Sequence, residues 1–153
     1  STVPKYIVDE INALGGNIQN AYGISIEELK AAIPCGIGKI NVDTDIRLAV
    51  TRNMKEFFKN NPSKRDSASI GGVYQLLEEK KDQFDPRAFL PPIMDTVMYG
   101  TIKDDDTAAL VEVIEKGVKE AIGTLIVEFG SFGKAPLVEQ VSLEEMIERY
   151  KKM

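Results

Sequence analysis

The chain has 153 residues, 43% of them hydrophobic and 28% charged, with a formal net charge of −5. That is one domain or a piece of one, with the composition of a globular protein. The negative balance argues against nucleic acid and anionic membranes as partners, and no apolar run approaches the ~20 residues a membrane helix needs.

In chain order, Pro4 stands where a first helix begins, and Tyr6, Ile7, Ile11 and Leu14 recur at helical spacing until Gly15-Gly16 stops it. Ser25, with Glu28 three residues on, forms a capping box for a short helix that ends near Pro34 and Gly36. Ile37 to Val42 reads as one short strand. Thr44 or Asp45 then caps a helix carrying Leu48, Ala49, Met54, Phe57 and Phe58 up to Asn60-Asn61-Pro62. A polar loop over 63–72 precedes a short charged helix from Val73 to Lys81. Asp85 is an N-cap with Pro86 at the first helical position, and Pro91-Pro92 forces a kink or a restart. The longest helical pattern follows Asp104 to Asp106, whose charges suit the positive end of a helix dipole. "GSFGKAP" is a loop, and Ser142 with Glu145 caps a last helix.

This reading gives one strand and about seven helices. A strand cannot stand alone, because its backbone groups need partners. Ile37, Ile40 and Val42 look buried on both faces, as in a parallel sheet covered by helices. The rest of the sheet is therefore expected from chain outside this sequence or from another copy. The chain also begins with Ser, not Met, so it is expected to be processed or part of something longer.

Histidine is absent, which removes imidazole catalysis, Ser-His-Asp triads and His-ligated zinc from anything this chain does by itself. The single cysteine, Cys35, has no internal partner for a disulfide, so a cytoplasmic setting is the default. Without a histidine beside it, Cys35 reads as a buried structural thiol.

The stretch "GKINVDTDIRLAVT" drives the strand into three polar residues and then directly into a helix. Ligands in α/β folds bind outside the carboxyl ends of strands, and a helix N-terminus there suits a phosphate. Asn41, Asp43 and Thr44 occupy that end. The same residues could serve only to cap the helix, which is the commoner use of such a pattern, and the pattern alone leaves both readings open.

"KINVDTDIRLAVT" resembles the last barrel strand of the class II, zinc-dependent fructose-bisphosphate aldolases, where a strand ending N-[IV]-D-[ST]-D precedes a helix. Four further stretches are similar to that family in the family's order: "STVPKYIVDEINALGG", "YGISIEELKAAIPCGIGKIN", "NPSKRD…QFDPRAFL" and "EFGSFGKAP…VSLEEMIERY". The resemblance implies an α/β fold, the C-terminal part of a (β/α)8 TIM barrel, holding its last strand and a mostly helical tail. A whole barrel takes about 200 residues or more. Residues 63–82 and 97–124 look like insertions relative to common members.

The resemblance further implies reversible aldol cleavage of fructose 1,6-bisphosphate to dihydroxyacetone phosphate and glyceraldehyde 3-phosphate. Zinc and the catalytic aspartate would be supplied upstream of this chain, which carries no metal ligand and no catalytic residue of its own. Ser1 matches a serine contacting substrate phosphate, and Asn41 an asparagine contacting the triose. Asp43 and Thr44 match the pair holding the first phosphate. Arg87, in "DPR", matches an arginine reaching from a neighbouring subunit toward the second. The implied partners are a sugar bisphosphate, the missing N-terminal half of the barrel and further copies in a homo-oligomer. A tagatose-bisphosphate aldolase and a non-catalytic helical module derived from the barrel are the alternatives.

One energetic expectation follows. In an isolated half-barrel, Ile7, Ile11, Leu48, Phe57 and Phe58 would face water, so the chain should pair, dimerise or rearrange its helices.

Overall fold

The computed structural model describes residues 2–19 and 21–152. Among them are seven α-helices: α1 (Lys5–Ala13), α2 (Ile26–Ala32), α3 (Thr44–Asn60), α4 (Gly71–Glu79), α5 (Met94–Tyr99), α6 (Asp105–Glu128) and α7 (Leu143–Lys151). Short 3₁₀ turns, each carrying a proline, occupy several connections, including Pro62–Asp66, Pro86–Ala88 and Pro91–Ile93. The helix start expected at Pro86 is a single tight turn, and the kink or restart expected at Pro91-Pro92 is a second one before α5.

The caps follow the expected chemistry. Ser25 accepts from the Glu28 N–H while the Glu28 carboxylate takes the Ser25 N–H at 2.9 Å, the full capping box. Asp104 accepts from the Thr107 N–H at 2.9 Å, and Ser142 from the Glu145 N–H at 3.1 Å. The start of α3 differs: its N-cap is Asp43, which makes no side-chain cap bond, and Asp45 is buried within the first turn.

α3 is the central element, and the long α6 lies along it. The approach is close at Gly117, where a β-carbon would come within 2.8 Å of the Val50 Cα, so glycine is what lets the two backbones meet. One apolar cluster joins Met54 and Phe58 of α3 to Ile70, Val73 and Leu77 around α4, with Phe89 and Leu110 closing it. The other joins Leu48 and Ala49 of α3 to Ile7, Val8 and Ile11 of α1 and Ala121 of α6. Arg52 ties the same three helices at the edge, to Glu10 at 3.2 Å and Glu120 at 2.8 Å.

This packing bears on two expectations. Ile7, Ile11, Leu48 and Phe58 do not face water; each is at most 4% exposed, and Phe57 is half-buried. The apolar faces of α1, α3, α4 and α6 cover one another, because burying apolar surface is favourable against whatever partner the chain provides. Second, Ile37 to Val42 forms no strand. The segment runs without regular structure, with Ile37 47% exposed, because no neighbouring strand among the described residues offers its N–H and C=O groups partners.

Cys35 is likewise exposed, not buried: it closes the 3₁₀ turn after α2, where Gly36 takes a left-handed φ of 100°. At the far end, α7 has no buried residue, and Leu143 and Tyr150 are 67% and 70% exposed.

Candidate functional site at the start of the third helix

Of the residues singled out in the sequence, Ser1 lies outside the described residues. Asn41 is exposed on the irregular segment leading into α3, Asp43 is the helix N-cap and Thr44 its first residue. The Arg47 N–H is the first to close back, onto the Asp43 carbonyl at 3.1 Å. The N–H groups of Thr44, Asp45 and Ile46 therefore lie ahead of the helical ladder, at the positive end of the dipole.

Arg87 comes to the same place from forty residues further on. Buried Thr51 of α3 donates its hydroxyl to the Phe84 carbonyl at 2.8 Å, and Phe89 and Leu90 are sunk in the core. These anchors hold the Asp85–Arg87 turn against the start of α3. Asp85 caps that turn, accepting from the Arg87 N–H at 3.0 Å.

A chain of alternating charges then joins the two motifs. Arg47 holds the Asp43 carboxylate through Nε at 2.8 Å and Nη2 at 2.7 Å. Its Nη1 reaches Asp85 at 2.6 Å. Arg87 grips the same Asp85 Oδ2 through Nη2 at 2.6 Å and reaches Oδ1 through Nε at 3.0 Å, so one carboxylate oxygen is shared between the two guanidinium groups. Two-point guanidinium–carboxylate pairing of this kind fixes orientation as well as distance. The Arg87 hydrogen bonds hold the Asp85 carboxyl below its ordinary range, with the Arg47 charge adding to them. Arg87 is in turn raised by Asp85, and the Asp43 charge contributes.

Arg47 is the residue that sequence reasoning passed over. The available signal was its spacing of four from Asp43, which places the two on one helix face. What spacing could not show is its second partner, thirty-eight residues away in the chain.

Asp45 points the other way. It is 5% exposed, one carboxylate oxygen has no hydrogen-bond partner, and burial raises its pKa above the ordinary value. It borders a cavity of about 230 Å³ between α1, α2 and α6, lined also by Tyr6, Ile26 and Thr124.

Among the described residues, no group of three or more His, Cys, Asp or Glu side chains is placed to hold a metal ion. The described residues thus do not fit a zinc site. No helix is long and apolar enough to cross a membrane.

The chain belongs to the class-II fructose-bisphosphate aldolase family, whose model matches residues 18–134. It is similar to fructose-bisphosphate aldolases of Xanthobacter flavus, with 30% identity over 150 residues, and of Nostoc sp. strain PCC 7120, with 30% over 152. A third relative, from Stutzerimonas stutzeri, is 31% identical over 150 residues. The matches cover 98–99% of this chain but 31% of each relative, so the chain spans less than a third of their length.

Proposed function

We propose that this chain is the phosphate-binding C-terminal portion of a class II fructose-1,6-bisphosphate aldolase. The observation that carries the reading is the Asp43–Arg47–Asp85–Arg87 chain of ion pairs, which draws both family motifs to the start of one helix. The N–H groups and the Thr44 hydroxyl there would take one phosphate of the bisphosphate, and Asn41 would face the triose. Arg87, its side chain 69% exposed, has guanidinium donors facing solvent for the other phosphate, on this subunit or a neighbour. Arg47 is the positioning residue between them: it neutralises Asp43 and Asp85, which would otherwise repel an anion.

Zinc, held by residues upstream of this chain, would act as the Lewis acid that polarises the ketone when bound. In the complete protein, Ile37–Val42 would gain neighbouring strands and become the last strand of the barrel, with the active site at its C-terminal end. Residues 63–82 and 97–124 would then be insertions that bring α4 and most of α6, the cover that α3 packs against here. The whole enzyme would be a cytoplasmic homo-oligomer.

The test is fructose 1,6-bisphosphate cleavage by the polypeptide that unites this chain with its zinc-binding portion. Thr44→Val keeps the shape and removes the hydroxyl. Substrate binding should weaken by about 1–3 kcal/mol, the scale of a hydrogen bond to a charged group. Unchanged kinetics in both Thr44→Val and Arg87→Met would reduce the site to a helix cap.

A further inference from the structure

Lys55 is 5% exposed, an unusual place for an ammonium. It sits on α3 and donates to the Leu77 carbonyl, in the last turn of α4, at 3.3 Å. An ammonium carries three donors, and one long bond does not replace the water it has lost. Burial pushes Lys55 down, opposed by the Glu78 charge.

Beside Lys55 lies a cavity of about 250 Å³ with Phe58 and Leu77 among its walls. Lys59, one helical turn further along α3, stands at the same cavity, and Arg65 enters it from the Pro62–Asp66 turn. Arg65 is fixed in place: its Nε donates to the Phe58 carbonyl at 2.9 Å, and its guanidinium lies 5.3 Å from the centroid of the Tyr74 ring. That anchoring leaves the two Nη groups of a pre-oriented fork for a ligand. Glu78 is the one carboxylate among the lining residues, and Lys81 pairs with it at 3.6 Å. The Lys81 charge also reaches Lys55. A chain of net charge −5 thus gathers three cations and one carboxylate around a partly apolar cavity, with Lys81 behind the carboxylate. Lys55 is twelve residues along α3 from Asp43, roughly 18 Å at the helical rise, so this is not the place where Asp43 and Arg87 meet.

We propose that this cavity is a second anion site, for a small phosphate monoester, independent of the one at the start of α3. The two ammonium groups and the Arg65 fork converge on the charged group, and the Ala13, Leu14 and Tyr74 side chains lining the cavity accept a short carbon stem. A ligand there would bridge α3, α4 and the Pro62–Asp66 turn.

The experiment is an NMR titration of the ¹⁵N-labelled 153-residue chain at constant ionic strength, with inorganic phosphate and with glycerol 3-phosphate as probes. Amide shifts at Lys55, Lys59, Arg65 and Tyr74 should move saturably, with glycerol 3-phosphate binding the tighter of the two. Lys59→Gln combined with Arg65→Gln should weaken those shifts by about tenfold or more, the scale of a lost charge-assisted contact. Thr44→Val should leave them unaltered. Shifts confined to residues around Thr44 and Arg87, an unchanged affinity in the double variant, or no saturable shift at all would each overturn the proposal. Circular dichroism of the double variant separates lost binding from lost fold.

Discussion

The two ends of α3 are built for different purposes. Its C-terminal half is packed on several sides: Met54 and Phe58 are at most 1% exposed, held by α4, α6 and the buried Phe89. Its N-terminal end is buried on one side by Leu48 and Ala49 and open on the other, where Asp43 is exposed and Arg47 and Asp85, half-buried, form ion pairs. Apolar contact is non-directional and accumulates with area, so it secures the element. Guanidinium–carboxylate pairs are directional and worth little in stability near a surface, so they set geometry at a place that must stay accessible. One helix thereby carries apolar anchoring along its buried face and the ion-paired candidate site at its start.

The largest effect that would test this division is Phe58→Ala. Removing a fully buried aromatic should cost about 3–5 kcal/mol, read from urea denaturation, with the ion-pair end of the helix untouched. A loss below 1 kcal/mol would mean that the α3–α4 packing does not hold the fold.

Gly117→Ala comes next. The added methyl would strike the backbone of Val50 and Ala49, which can yield only by moving α6 from α3. We expect a loss of about 1–3 kcal/mol from overpacking, exceeding the ~1 kcal/mol by which alanine outranks glycine inside a helix. A more stable variant would show that the two helices are not in the close contact described.

Asp45→Asn probes the buried side of the first turn of α3, and here the sign reverses. Burial raises the carboxyl pKa in the folded state, so the folded chain holds the proton to higher pH than the unfolded chain does. Stability should therefore fall as pH rises from the unfolded pKa through the raised folded one, and stay lowered above it. The asparagine variant removes that penalty. A gain of about 1 kcal/mol at neutral pH, shrinking on acidification, is the expected result of thermal melts across pH. A variant less stable than the parent at neutral pH would place a donor on that carboxylate.

The smallest effect on stability belongs to Arg47→Met, within about 1 kcal/mol for a half-exposed ion pair. Its pH signature is more telling. The Asp85 carboxyl is depressed, by Arg87 first, so its contribution is present above the unfolded pKa and is lost as pH falls through the folded one. Removing Arg47 should lift the Asp85 pKa by NMR titration while leaving the melting temperature nearly unchanged. An unaltered Asp85 titration would break the link between the two motifs.

Much of this was legible in the chain of residues alone, wherever the controlling interaction is local. Capping boxes act over three residues, helix periodicity over a few turns, and proline blocks its own hydrogen bond wherever it stands. Hence Ser25 with Glu28, Asp85 before Pro86 and Asp104 before α6 could all be placed from sequence, as could the family through its ordered motifs. Contacts between distant segments could not. The apolar pattern of Ile37–Val42 marks it as fit for a strand, but pairing depends on a neighbour that no local pattern supplies, and here the segment lies open. The apolar stripes on α1, α3 and α6 show only that each helix must be covered, and tertiary packing decided that they cover one another, through the bare backbone at Gly117. The same holds for Arg47. Its spacing from Asp43 was readable as a helix pair, whereas its grip on Asp85 exists only because Thr51, Phe89 and Leu90 fold the "DPR" turn back onto the start of α3.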